Sequence, residues 1–158
     1  MKPMPGSRRS RPKLSVEVLA VMALLLSGAG DILAPYEVVG DTIATPLDGM
    51  VGDAVRGRAI VAARQVSTCL LCHAGPFPEA GFQGDIGPSL TGVGDRLSRG
   101  QIRLRVVNAA VVNPETVMPS FYRTTGLVRV GRQWEGCPLL DAQQIEDVVA
   151  FLATSRAP

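Results

Sequence analysis

Three stretches of the chain carry apolar residues at helical spacing, and polar segments broken by glycine and proline separate them. The first runs from Asp53 to Gln65, where Val55, Ala59, Ala62 and Ala63 make a narrow apolar face. Asp53 is placed as N-cap, its carboxylate accepting backbone N–H groups that the helix leaves unpaired. Gly57 and Ala59 are small enough for another helix to approach closely, although Gly57 lowers helix stability. The second stretch opens with the capping box Ser98-Arg-Gly-Gln101 and predicts a helix from Arg99 to about Ala110, with Ile102, Val106 and Ala109 as its buried stripe. The third is the strongest. Asp141 caps it, Gln144 completes the box, and Leu140 is placed to staple onto Ile145. Ile145, Val148, Val149 and Leu152 form its apolar face, with Phe151 beside them.

The stretches between predict loops. Residues 74–97 hold Gly75, Pro76, Pro78, Gly81, Gly84, Gly87, Pro88, Gly92 and Gly94. A loop of this length inside one domain is explained if it wraps a cofactor. Asn113-Pro114 ends the second helix and starts a loop containing Met118. Leu127–Val130 reads as a short strand or an extended excursion. No internal repeat is visible.

Upstream, Lys2, Arg8, Arg9, Arg11 and Lys13 precede the apolar run Val18–Leu26 and the small residues Ser27 to Gly30. That order is a secretory signal peptide, residues 1–29, with cleavage after Ala29. The apolar run is too short for a membrane span, which needs roughly 20 residues. The Ser7-Arg8-Arg9 pair lacks the apolar residues expected after a twin-arginine signal and reads as ordinary charge. Residues 30–51 form an extended N-terminal arm, and residues 52–155 the one remaining domain of this 158-residue chain.

The chemistry concentrates at Cys69-Leu70-Leu71-Cys72-His73, which takes two of the three cysteines and the single histidine. This spacing is the attachment signature of a c-type haem. Each thiol adds to one porphyrin vinyl, and His73 stands under the iron as proximal ligand. A zinc set of Cys69, Cys72, His73 and Cys137 is the chemical rival. Adjacent Cys72 and His73 are poorly placed to reach one small tetrahedral ion. A thioredoxin-like pair lacks its surrounding βαβ pattern. Low aromatic content, 4%, suits a core completed by one covalently bound haem c.

With one histidine, the second axial ligand must be another residue type. Outside the signal peptide the methionines are Met50, in the arm, and Met118, in a proline-bounded loop. Met118 is the expected ligand, and a thioether favours the reduced iron. Pro88 is the candidate to accept a hydrogen bond from the other ring nitrogen of His73 through its carbonyl. The order helix, haem loop, helix, methionine loop, terminal helix is that of a class I cytochrome c, an all-α fold with long loops around the haem.

Charge removes one function class. The precursor carries 16 basic and 14 acidic residues. Without the signal peptide, 11 arginines face 13 acidic residues, a net charge near −2. No basic run with interleaved aromatics remains, so no nucleic-acid partner is expected. Arg96, Arg99, Arg103 and Arg123 are candidates for a contact surface, and Trp134 and Tyr122 for the haem surroundings.

Three longer segments carry a family likeness: Gly87-Pro-Ser-Leu-Thr-Gly-Val-Gly-Asp-Arg96, Val117-Met-Pro-Ser-Phe-Tyr122, and Pro138 to Leu152 with its Gln-Ile-Glu-Asp-Val-Val-Ala-Phe-Leu run. Together they resemble SoxX, the monohaem cytochrome c subunit of the bacterial sulfur-oxidation system, over roughly residues 52–154. The resemblance implies a periplasmic complex with SoxA, a second cytochrome c, that joins thiosulfate oxidatively to a cysteine of the carrier SoxYZ. It implies that Cys69 and Cys72 hold the porphyrin and that His73 and Met118 hold the iron. The resemblance further implies that electrons pass from the SoxA haem through this chain to a soluble cytochrome c, and that no residue of this chain is catalytic. Cys137 departs from the family pattern, and an odd cysteine in an exported chain points to a disulfide with the SoxA-type partner or to a protected thiol. The other readings are a free-standing periplasmic monohaem electron carrier, which shares the haem chemistry, and a zinc-stabilised secreted binding module, which the colour of the protein separates at once.

Overall fold

The computed structural model describes residues 33–158; the expected signal peptide lies outside the described residues. Five α-helices follow in order: α1 Ala54–Ala62, α2 Cys69–Cys72, α3 Val93–Arg96, α4 Arg99–Asn108 and α5 Ala142–Thr154. Short 3₁₀ turns stand at Leu47–Gly49, Ala109–Val111 and Arg132–Trp134. Among the described residues there is no strand, only an isolated bridge between Val39 and Thr42. None of their helices is long and apolar enough to cross a membrane.

Helix α5 is the centre, with α1, α4 and α3 all packed on it. Its start is fixed locally: the Asp141 carboxylate accepts from Gln144 N at 2.8 Å, and Gln144 Oε1 accepts from Asp141 N at 3.0 Å. Leu140 and Ile145, flanking that cap, are both buried. From Ile145 to Leu152 every residue is buried, so the helix is covered on all sides.

Two of those buried residues are acidic, and each fastens a different segment. Glu146 takes the Arg103 fork, Nε to Oε1 and Nη2 to Oε2, both at 2.7 Å. Arg103 Nη1 also donates to the Ile43 carbonyl at 2.6 Å, and Glu146 Oε1 accepts from Leu47 N at 3.0 Å. The arm is thereby tied to α4 and α5, with Ile43 and Leu47 each 1% exposed. Arg103, grouped above with the contact-surface arginines, is instead a buried partner at 3% exposure. Asp147 accepts from Arg56 Nε at 2.7 Å, Arg56 Nη2 at 2.8 Å, Asp53 N at 2.7 Å and Gln143 Nε2 at 2.9 Å. Burial by itself pushes the Asp147 carboxyl up, but these donors outweigh it and hold the group below the usual carboxylate value.

Helix α1 begins as its cap predicts, with Asp53 Oδ1 accepting from Val55 N and Arg56 N. Its buried face is not the predicted one. Val55 is 80% exposed and Ala59 is exposed, whereas Gly57 and Val61 are buried. The reason is backbone contact: a Cβ on Gly57 would stand 1.9 Å from the Asp147 carbonyl oxygen. The helix is turned so that its glycine, rather than its alanines, meets α5. In α4 the capping box and the stripe of Ile102, Val106 and Ala109 stand as expected, and the last turn tightens to 3₁₀ ahead of Pro114. Leu127–Val130 is an irregular excursion: Gly126 and Arg129 are left-handed at φ 66° and 60°, which no paired strand accommodates.

Candidate cofactor site

The haem motif sits at the end of a short descent from α1. Ser67, fully buried, donates from Oγ to the Ile60 carbonyl at 2.7 Å and anchors the turn, and left-handed Thr68 (φ 56°) starts α2. In α2, Leu70 is wholly buried in the core, and Cys69 faces an apolar cleft. Burial pushes the Cys69 thiol above its usual pKa, against the opposing pull of the Ser67 side chain. Cys72 ends the same turn, half-buried, outside the walls of the cleft.

After His73 the long loop returns alongside the motif. Gly84 N donates to the Leu70 carbonyl at 3.0 Å, Gly87 N to Cys72 at 2.7 Å and Leu90 N to Ala74 at 2.7 Å. Those three bonds carry the Pro88 carbonyl oxygen to 2.7 Å from His73 Nδ1. A carbonyl only accepts, so Nδ1 carries the proton and the Nε2 lone pair is left free. Gly87 has to be glycine: a Cβ there would lie 2.3 Å from His73 Cε1.

Met118 comes from the far loop. Its N–H donates to Thr116 Oγ1 at 3.1 Å, and beyond it Phe121 N and Tyr122 N bind the Val106 and Val107 carbonyls of α4 at 3.2 and 3.3 Å. Leu140 N, just before α5, donates to the Phe121 carbonyl at 3.0 Å. The loop is thus fastened to α4 and to the residue that leads into the cap of α5, two of the segments that wall the cleft.

The cleft spans about 350 Å³ with its open mouth included. Val61 of α1, Val106 of α4, and Val148 and Leu152 of α5 wall it, together with Leu90, Phe121 and Leu140. Cys69, His73 and Met118 supply the only sulfur and imidazole on those walls. An apolar chamber offering a thiol, an imidazole with a free Nε2 and a thioether fits a c-type haem. It does not fit zinc. Among the described residues no three His, Cys, Asp or Glu side chains are grouped to hold a metal ion, and Cys137 is exposed.

Other candidates lie elsewhere. Met50, at the end of the Leu47–Gly49 turn, is no wall of the cleft. Tyr122 is buried, but its hydroxyl accepts from Ala34 N at 2.8 Å, and Trp134 is 44% exposed; neither lines the cleft. Arg96 donates to the Ser89 and Thr91 carbonyls, Arg123 to those of Thr125 and Gly126, and Arg99 is exposed. Unforeseen from the sequence were the roles of Gly84 and Gly87 in the return of the loop, since a glycine-rich stretch does not disclose which glycine meets which carbonyl.

No family model and no curated protein matches the chain. Among solved structures, a chain of the crystal structure of SoxXA from P. pantotrophus is 38% identical, with a TM-score of 0.71; the match covers 77% of this chain and 94% of that chain. The chain belongs to the SoxX family. Its helices are therefore those of the all-α, cytochrome c-like SoxX fold. The matched share is nearly the whole of the other chain.

Proposed function

We propose that this SoxX chain is the periplasmic electron-transfer subunit of a SoxAX-type complex, and that it carries one covalently bound haem c. The observation that carries the reading is the convergence of Cys69, His73 and Met118 on one apolar cleft, in a chain 38% identical to a chain of SoxXA.

Cys69 and Cys72 would hold the porphyrin by thioether bonds, and His73 and Met118 would hold the iron. When bound, the haem supplies a one-electron Fe(III)/Fe(II) couple. The chain does the rest. Pro88 orients the imidazole and fixes its tautomer, which raises the basicity of Nε2. The thioether of Met118 favours the reduced, softer iron. The valine and leucine walls exclude water and lower the local dielectric. Both His73 and Met118 would be committed to the cofactor, and the cleft offers no other polar side chain, so the chain would pass electrons without acting on thiosulfate.

In the complex, a SoxA-type cytochrome gives up electrons as thiosulfate is joined to a cysteine of the SoxYZ carrier, and this chain hands them to a soluble cytochrome c. The SoxXA likeness supports the SoxA partner. Export by the signal peptide of residues 1–29 places the chain in the periplasm, where covalent haem is attached.

The test is expression with a c-type maturation system and a SoxA-type partner. The expected product is a red polypeptide that keeps one haem on a denaturing gel, co-purifies with the second cytochrome, and is reduced when thiosulfate and carrier are added. A colourless polypeptide refutes the haem. A red monomer that never binds the second cytochrome supports the free-standing carrier instead.

A further inference from the structure

We infer that Gln83 is a positioning residue for the His73 imidazole, an inference that rests on His73 as iron ligand. The Gln83 carboxamide spans the neck of the loop after the motif. Its Oε1 accepts from Gly75 N at 2.6 Å and its Nε2 donates to the Phe77 carbonyl at 2.7 Å. Both functions of the carboxamide are engaged, one as acceptor and one as donor, and no carboxylate, hydroxyl or apolar side chain of that size offers the same pair.

What this closure controls is register. The segment 84–90 runs beside 70–74 through three backbone bonds, Gly84 to Leu70, Gly87 to Cys72 and Leu90 to Ala74. Pro88 lies between the second and third, and having no N–H of its own it relies on these neighbours for its place. Its carbonyl is the group that meets His73 Nδ1 at 2.7 Å. Gly84, first of the three donors, directly follows Gln83. The nine residues from Gly75 to Gln83 contain Pro76, Pro78 and Gly81 and no helix or strand. Closing such a segment costs conformational entropy, and Gln83 fixes its two sides at the base. A slip of one residue would put another carbonyl, or none, opposite the ring.

Within the loop, Phe77 N also donates to the Gly75 carbonyl at 2.8 Å and Ala80 N to the Phe77 carbonyl at 3.0 Å, turns that do not reach Gln83; its other side-chain anchors point outward to the body. Phe77 meets Phe151 of α5 edge-on at 5.6 Å, Glu79 pairs with Arg58 of α1 at 2.6 Å, and the Arg64 guanidinium stands over the Phe82 ring at 5.7 Å. They hold the tip against the body. Gln83 joins the two sides of the loop to each other.

The experiment is hydrogen–deuterium exchange by NMR on the reduced holoprotein, read at the Gly87 amide and at the His73 Nδ1 proton, with the midpoint potential measured alongside. Gln83→Ala should speed both exchanges about tenfold, the effect of losing about 1.4 kcal/mol of hydrogen bonding. It should also raise the potential, because a looser Nδ1–H···O bond makes the imidazole a poorer donor. Gln83→Glu, which keeps the acceptor for Gly75 N–H, should fall between. Glu79→Ala removes the Arg58 pair from the same loop and should leave both exchanges and the potential unchanged.

Unchanged exchange in Gln83→Ala overturns the inference even if melting temperature drops, and so does equal acceleration in Glu79→Ala, which would mark general loosening. If Gln83→Ala does not accumulate, Gln83→Glu is judged by the same criterion. Absence of a haem spectrum in the unaltered protein overturns the haem reading, whereas a haem spectrum with unchanged Gly87 exchange in Gln83→Ala overturns only the role of Gln83, so the two readings fail separately.

Discussion

Gly57 shows how much one side chain decides. Replacing a mid-helix glycine by alanine ordinarily stabilises a helix by about 1 kcal/mol. Here the new Cβ would fall 1.9 Å from the Asp147 carbonyl oxygen, so α1 and α5 would have to separate. Gly57→Ala should therefore destabilise the protein by about 1–3 kcal/mol, the range for overpacking, as measured by chemical denaturation. Gly87→Ala should act on the site rather than on overall stability, because its Cβ would strike the His73 ring. For Met118 the readout is optical. A ferric band at the red edge of the visible spectrum marks an Fe–S(Met) bond; Met118→Ala should abolish it, and its survival would exclude Met118 as ligand. The sequence could name Met118 and Pro88 because their residue types match the chemistry and both sit in proline-marked loops. It could not assign Gly57 its neighbour, because α1 and α5 lie far apart in the chain and a glycine carries no side chain whose character points to a contact.

At the scale of elements, α5 was the most legible, since its cap, box and apolar face are all local patterns. Its two acids were not. In the sequence, Glu146 and Asp147 look like the solvated side of an amphipathic helix, yet both are buried against arginines from other segments. Removing one partner of a buried pair leaves the other charge stranded, so Glu146→Gln should cost about 3 kcal/mol. The double variant Arg103→Met/Glu146→Leu should recover much of that loss in denaturant melts. Asp147 adds a pH dependence. Its folded pKa is held down, so its stabilisation is complete above the unfolded value of about 4 and is lost as pH falls through the lower folded value. The stability gap between the unaltered protein and Asp147→Asn should therefore be widest near neutrality and shrink steadily below about pH 4.

For the whole molecule, the cleft joins the candidate site to the fold. Its walls come from α1, α4, α5 and two loops, so most of the core surfaces meet there. A Cys69→Ala/Cys72→Ala variant should yield no covalent haem and should lose cooperative unfolding, because those valine and leucine faces would no longer close on a ligand. Calorimetry of the purified variant checks this. Cys137 is exposed, which leaves it free to bond a partner chain, and a non-reducing gel of the co-purified complex decides between a linked pair and a free thiol.

The sequence alone determined where the three longer helices begin, though not the short helix Val93–Arg96 inside the expected loop, and it named the motif, the methionine and the proline that the structure brings to one site, because caps, attachment spacing and ligand chemistry are legible from residue types and short-range patterns. Tertiary structure decided which face of α1 is buried, that Arg103, Glu146 and Asp147 belong to the interior, and that the arm is fastened by them. The physical reason is that burial and charge pairing depend on which distant segments meet; at Gly57 and Gly84 that meeting is between backbones, and at Gly87 it is backbone against the His73 ring, so the glycine itself says little about its partner.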